Sequence, residues 1–211
     1  MKKRVLSMFM ALALCLTLLP TAALADETGG TGASGEAAQM PAYSGGSGTK
    51  DDPWLISSVE DLQLLANTIN NGNAAEFDAD CTDTGDGIPG NYHGYYFKQT
   101  KDLDLSSIAS WDPIGYSGDY GFYFAGNYDG GGYTISNAKS TGKNDVGRYA
   151  TAGIFGWVRK GSVSNLTVKN ADFLATGDNN MSYVGGVLAV ADNCTVENCS
   201  VYNSKIESRR D

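Results

Sequence analysis

Histidine, cysteine and proline are scarce in this 211-residue chain: His93 stands alone, with 4 cysteines and 5 prolines. Each shortage removes a class of chemistry. A lone histidine in a Tyr- and Gly-rich stretch, with no serine or cysteine at a recognisable spacing, reads as structural rather than catalytic. Cys15 belongs to an N-terminal leader, so Cys81, Cys194 and Cys199 remain, an odd set too scattered for a disulfide framework. A Cys-x4-Cys pair with one distant histidine does not make a zinc site either. Basic residues number 15 against 24 acidic ones, and the formal net charge of −9 opposes phosphate backbones and anionic headgroups, so nucleic acid and membrane surface are not expected as partners.

Apolar runs of bilayer length are also missing. The longest, Leu6 to Leu19, follows the positive Lys2-Lys3-Arg4 and precedes Ala23-Leu24-Ala25, a small-x-small cleavage site. At 14 residues it is shorter than the roughly 20 that a membrane-spanning helix needs. Residues 1–25 therefore read as a secretory signal peptide, and the protein as secreted or displayed on a bacterial cell surface. Its removal leaves 12 basic against 24 acidic residues, a net of −12.

From residue 26 to 48 the chain is Gly, Ser, Ala and Thr with few large apolar residues, a flexible leader by composition. The region 49–94 reads as an N-terminal cap. Ser57-Ser58-Val59-Glu60 offers a capping box with Ser57 as N-cap. Leu62, Leu65, Ala66 and Ile69 then fall on one face of a helix over about residues 59–70, which Asn71-Gly72 should end in a left-handed stop. Asp78, Asp80, Asp83 and Asp86 crowd the loop that follows. Calcium is the sharper reading of these carboxylates, but Thr82 and Asp83 break the EF-hand spacing and no twelfth-position Glu follows, so a solvated acidic loop is the plainer one. No other cofactor is expected.

Beyond Tyr95 helical periodicity disappears and an internal repeat emerges. Residues 152–174 align without gaps on 185–207 at an offset of 33, with five identities among the nine best pairs: Gly153/Gly186, Val163/Val196, Asn165/Asn198, Val168/Val201 and Asn170/Asn203. Ile135, Asn137 and Ala138 match Val163, Asn165 and Leu166 at an offset of 28 as a looser copy. Each copy holds a short strand with one apolar face and no helix between copies, so strands and turns must make the crossover. That is the pattern of a parallel β-helix, a solenoid over 95–211 whose equivalent residues stack in ladders. Asn137, Asn165 and Asn198 are expected to share one such ladder, since Asn tolerates left-handed corners. The Asn-x-Ser/Thr triplets at Asn165, Asn193 and Asn198 then serve the ladder rather than glycosylation.

Several segments in this order resemble the GLUG-motif family of bacterial exported and cell-surface proteins: Asp52-Pro53-Trp54-Leu55-Ile56-Ser57, Lys101-Asp102-Leu103-Asp104-Leu105, Trp111-Asp112-Pro113-Ile114-Gly115, Phe124 to Ile135, and Gly153-Ile154-Phe155-Gly156. They are also similar to regions preceding the protease domain of immunoglobulin-A-cleaving metallopeptidases. The resemblance covers about residues 46–206 and implies an all-β, right-handed parallel β-helix with an N-terminal capping helix, used as a stalk or adhesive surface. Ala189 stands where that family usually has a second glycine.

Function then divides into two classes. A polysaccharide-cleaving β-helix would draw on Asp102, Asp104, Asp112 and Asp129, because glycosidic chemistry needs two placed carboxyl groups. The repeat-equivalent exposed positions pair Ser164 with Glu197 and Asp172 with Lys205, so no acidic column forms. The favoured reading is a non-catalytic, adhesin-like surface module whose partner is a host or cell-surface glycan or protein. Tyr116, Tyr120, Tyr123 and Tyr128 are the candidate contacts, while Trp111, Phe122 and Phe124 are assigned to the core. The third copy runs out at Glu207-Ser208-Arg209-Arg210-Asp211 without a closing layer, so the expectation is either an N-terminal piece of a longer surface protein or self-association through the uncapped last coil.

Overall fold

The computed structural model describes residues 42–71, 91–117, 122–145, 149–177 and 181–210. The signal peptide, the acidic loop with Asp78, Asp80, Asp83 and Asp86, and Cys81, Gly72 and Tyr120 lie outside the described residues. What is described is a parallel β-solenoid of about three turns with a helix before the coils.

Strand β1 (Trp54–Ile56) and helix α1 (Val59–Asn70) come first. The first coil contributes β2 (Tyr96–Gln99) and β3 (Leu103–Asp104). The second holds β4 (Asn127–Asp129), β5 (Thr134–Ser136), β6 (Lys139–Ser140), β7 (Lys143–Asp145), β8 (Tyr149–Ala152) and β9 (Phe155–Arg159). The third repeats this with β10 (Ser162–Ser164), β11 (Thr167–Lys169), β12 (Asp172–Gly177), β13 (Met181–Val184) and β14 (Leu188–Asp192). A fourth opens with β15 (Thr195–Glu197), β16 (Ser200–Tyr202) and β17 (Lys205–Arg210).

Like strands stack on like. One sheet runs β1-β2-β4-β10-β15, a second β16-β11-β5-β3 and a third β17-β12-β6. The third and fourth coils hold the 33-residue register throughout, with Val163 opposite Val196, Val168 opposite Val201 and Phe173 opposite Ile206. Cys199 follows suit over Leu166, whose carbonyl accepts from Ser200 N–H at 2.9 Å. Every described strand pair is parallel except β7–β8, a short hairpin inserted in the second coil.

The corners explain the asparagines. Asn137, Asn165, Asn170, Asn198 and Asn203 all have φ between 48° and 59°, a left-handed conformation that Asn adopts more readily than most residues. They form two ladders rather than one. Asn198 Nδ2 donates to Asn165 Oδ1 (3.2 Å) and Asn165 Nδ2 to Asp129 Oδ1 (2.8 Å). Asn170 Nδ2 donates to Asn137 Oδ1 (3.3 Å) and Asn137 Nδ2 to Asp104 Oδ1 (2.8 Å). Asn137 thus belongs with Asn170 and not, as the offset of 28 suggests, with Asn165 and Asn198. The true partner of Ile135 is Val168, at the regular 33. The misreading has a physical source: the third coil turns two successive corners with an apolar-x-Asn-apolar sequence, Val163-Ser164-Asn165-Leu166 and Val168-Lys169-Asn170-Ala171, so Ile135-Ser136-Asn137-Ala138 fits either.

Helix α1 departs from its expected cap at the N-terminal end. The N-cap is Ser58, whose Oγ accepts from Asp61 N–H at 3.1 Å, while the Asp61 carboxylate accepts from Ser57 N–H at 2.8 Å. Ser57 is instead held by Thr100, Oγ to Oγ1 at 2.8 Å. A short aspartate three residues past Ser58 closes the box as well as the glutamate after Ser57 would, and it frees Ser57 to tie the helix to the first coil. At the other end Asn71 closes the helix at φ −99°, and Gly72, the second residue of the expected left-handed stop, lies outside the described residues. The apolar stripe lies as expected: Leu62, Leu65, Ala66 and Ile69 are buried in the common core with Trp54, Phe97, Phe124 and Phe155. Asn70 reaches sideways, donating to Pro113 O (2.9 Å) and accepting from Gly115 N–H (2.9 Å), so the helix also fixes the turn at 113–115.

The last residues of the presumed flexible leader are packed. Tyr43 lies 5.2 Å from the Trp54 ring and 5.5 Å from Phe97, and its hydroxyl bonds Tyr92 at 3.0 Å. Ser44 Oγ donates to Asp61 at 2.6 Å, and Leu55 N–H bonds Gly45 O at 2.8 Å. The Tyr43 ring and these hydrogen bonds together anchor an otherwise small-residue segment.

If α1 is the lid of the stack, Leu65→Asp should abolish the cooperative melt, because an unpaired carboxylate cannot be buried there. The ends should also differ in cost. Val168→Ala is expected to lose about 1–3 kcal/mol by removing buried methyls, whereas Val201→Ala, at a site 42% exposed, should lose no more than about 0.5 kcal/mol. Denaturant melts of the two variants measure the difference.

A candidate binding groove on the first sheet

The outward side chains of the first sheet come from three coils. On β2 they are Tyr96 and Lys98, on β4 Asn127 and Asp129, and on β10 Ser162 and Ser164, with Tyr96, Asn127 and Ser162 in one row and Lys98, Asp129 and Ser164 in the next. Lys50, Asp51 and Pro53, from the turn before β1, form a rim, and the corner residue Asn165 closes one side. Together they enclose an open groove of about 410 Å³. The corner is tight: a Cβ on Gly130 would stand 2.6 Å from Asn165 O, so that position admits no side chain.

Part of the lining is locked. Ser162 Oγ donates to Asn127 Oδ1 at 2.9 Å, and Asn127 Nδ2 to Tyr95 O at 3.3 Å. Asp129 Oδ1 accepts from Asn165 Nδ2 and from Gly131 N–H at 2.9 Å. Lys98 faces Asp129 across the ladder without an ion pair among the described residues. Among the described residues, the side chains of Lys50, Asp51, Tyr96, Lys98 and Ser164 spend no hydrogen bond or ion pair on the protein. The groove therefore combines a rigid floor with open polar tips.

The tyrosines that composition nominated as surface contacts are largely not at the surface. Tyr128 is fully buried: β4 alternates, so its ring points inward to pack 5.3 Å from Phe155, and its hydroxyl donates to Gln99 Oε1 at 3.0 Å. That burial raises the phenol above its ordinary range. Tyr123 is 1% exposed beneath Arg159, whose guanidinium carbon lies 5.4 Å from the ring centre. Both are corrected from ligand contacts to core. Tyr116 is half-buried and stacks on Phe122 at 5.1 Å. The assignment of Trp111 and Phe124 to the interior holds, the Trp111 indole donating to Ile154 O at 3.1 Å, while Phe122 is half-buried. Gln99 is the residue that sequence reasoning missed: buried, it gives Nε2 to Lys101 O (2.8 Å) and Thr134 O (3.2 Å) and accepts from Tyr128.

The candidate catalytic carboxylates are placed at turns. Asp102 accepts from Thr134 N–H at 2.8 Å, and Asp104 from Ser106 N–H at 2.9 Å and from Asn137. Asp104 and Asp129 each begin an asparagine ladder, at different corners. Hydrogen bonds from Asn137 and Ser106 hold the Asp104 carboxyl below its usual value. Asp112 is exposed beside Trp111. Burial pushes the Cys194 and Cys199 thiols up, away from nucleophilic character at neutral pH. Among the described residues no three His, Cys, Asp or Glu side chains gather as a metal site.

Sequence comparison finds two similar proteins. The chain is 32% identical over 162 residues to halomucin of Haloquadratum walsbyi, covering 72% of this chain and 1% of that protein. It is 27% identical over 169 residues to a protein described as a Gly-rich membrane protein of Evansella cellulosilytica, covering 76% of this chain and 16% of that one. The chain thus spans a small part of each. No family model and no solved structure matches.

Two substitutions test this description. Tyr128→Phe should cost about 1–3 kcal/mol by stranding the buried Gln99 acceptor while leaving the outer groove intact, as read by denaturant melts. Asn137→Ala should raise the Asp104 pKa toward that of an ordinary aspartate in a carboxyl NMR titration. The sign follows from the depressed value: the stabilisation linked to Asp104 is present above its unfolded pKa and fades as pH falls through the folded one, so the variant should show less of this acid loss.

Proposed function

We propose that this protein is a non-catalytic module of a bacterial surface protein, adhesive through the groove and stalk-like through its stacking, and of the GLUG-motif kind. The observation that carries the reading is the use of the carboxylates: Asp102, Asp104 and Asp129 serve backbone N–H groups and asparagine ladders, which are structural duties. The motif segments support the family resemblance by meeting in space. Ile114 bridges to Phe155, and Gly156 lies so close to the Gly115 carbonyl that a Cβ would stand 2.0 Å from it, a contact that demands glycine. The names of the two similar proteins accord with display outside the cytoplasm. Among the described residues no helix is long and apolar enough to cross a membrane.

The stalk aspect rests on the last described layer. Val163, Val168 and Phe173 are fully buried, while their counterparts one coil on, Val196, Val201 and Ile206, are 44%, 42% and 36% exposed. Among the described residues no strand pairs with the outer edges of β15, β16 and β17, and apolar side chains on an open edge favour association with another strand layer. Helix α1 occupies the opposite end, so stacking proceeds from one end only.

Labelling of intact cells with a membrane-impermeant reagent should mark the protein; exclusive labelling after lysis would overturn the surface reading. Size-exclusion chromatography with light scattering should show concentration-dependent association of the purified protein, weakened by combined Val196→Thr, Val201→Thr and Ile206→Thr. A concentration-independent monomer with a cooperative melt would sink the stacking proposal.

A further inference from the structure

We infer that the groove on the first sheet is a binding site for a neutral saccharide, gripped between Tyr96 and the polar rungs of β2, β4 and β10. The inference deepens the proposed surface function and rests on it.

Charge decides first. The lining holds two lysines and two aspartates, Lys50, Lys98, Asp51 and Asp129, a balanced set on a chain of net −9. A divalent cation would have to sit beside two ammonium groups, and a polyanion would meet no positive surplus against the repulsion of the whole molecule. An apolar ligand needs an enclosed, greasy pocket; here Asn127, Ser162 and Ser164 line an open floor. A carbohydrate hydroxyl both donates and accepts, so it suits a surface that mixes ammonium donors, carboxylate acceptors, amides and hydroxyls.

Spacing decides next. Successive rungs lie about 4.8 Å apart, as in any sheet, close to the length of one pyranose ring, so a short saccharide laid across the coils meets a fresh row of polar tips at each ring. The floor is pre-set by the Ser162–Asn127 and Asn165–Asp129 hydrogen bonds, which lowers the cost of ordering it on binding. Lys98, Tyr96 and Ser164 have uncommitted polar tips facing outward. The Tyr96 ring is half-buried with no ring neighbour among the described residues, free to lie against the C–H face of a sugar.

The test uses the purified protein and a panel of neutral gluco-, manno-, galacto- and N-acetylglucosamine oligosaccharides, with uronate oligosaccharides as the charged comparison, read by calorimetry. A Kd between about 1 μM and 1 mM is expected for at least one neutral chain. Tyr96→Ala should weaken it at least about tenfold, and Ser164→Tyr, which fills the groove from a half-buried, outward-facing position on β10, should do the same with an unchanged melting temperature. Failure of every neutral chain to bind at about 1 mM, retention of binding in both variants, or preference for the uronates would overturn the assignment. Cell-surface labelling separates the two claims. A displayed protein that binds no neutral saccharide refutes this inference alone, and a protein confined to the cell interior refutes the surface reading on which it rests.

Discussion

Every feature of this molecule depends on the parallel hydrogen-bond ladder between successive coils. A parallel strand cannot return to its neighbour by a tight hairpin, so the chain must turn corners and arrive one layer higher with the same face inward. The corners are therefore the expensive places. Asparagine meets their demand twice over: its backbone accepts φ near +50°, and its amide bonds the residue stacked directly below. Aspartate starts each ladder at Asp104 and Asp129, where an acceptor suffices: it receives the amide of the Asn above and, among the described residues, has no ladder partner beneath to donate to. Carboxylates that look catalytic in composition are consumed by this architecture.

The ladder also dictates what sequence can reveal. The ungapped offset of 33 made the third and fourth coils legible, since both turn corners at equal intervals. The second coil was harder. Its first strand β4 lies 35 residues before β10, whereas β5 lies 33 before β11. Two extra residues in the Gly130–Tyr133 turn break the ungapped alignment between strands that otherwise match. Short corner patterns then align at the wrong place, and Asn137 was assigned to the neighbouring column. The helix was legible from its stripe, and its cap missed by one residue because Ser57 and Ser58 are chemically equal until Thr100, far off in sequence, claims one of them.

The site was the least legible part. Counting aromatics drew attention to Tyr123 and Tyr128, which strand alternation turns inward. The groove residues are single outward positions on separate coils, and no local pattern joins Tyr96 to Asn127 and Ser162. They become neighbours only once register is known. A sequence signal did exist: in Tyr95 to Thr100 the alternation already placed Tyr96 and Lys98 opposite Phe97, and pairing that strand with its repeats would have assembled the rows.

The stack and the candidate groove share one geometry. In a sheet whose inner residues are fixed by core packing, the outer residues are fixed with them, so a groove built on β2, β4 and β10 inherits the rigidity of Phe97, Tyr128 and Val163 directly behind it. Outer positions outside the hydrogen-bonded floor, such as Tyr96, Lys98 and Ser164, meanwhile carry little of the folding cost. Toward the last described coil the inner side chains become exposed and that support weakens, with Val196 behind Thr195 and Glu197 no longer buried. It follows that the groove sits where the stack is firmest, next to the helix-covered end, and that adding coils at the last described layer would lengthen the stack without disturbing it.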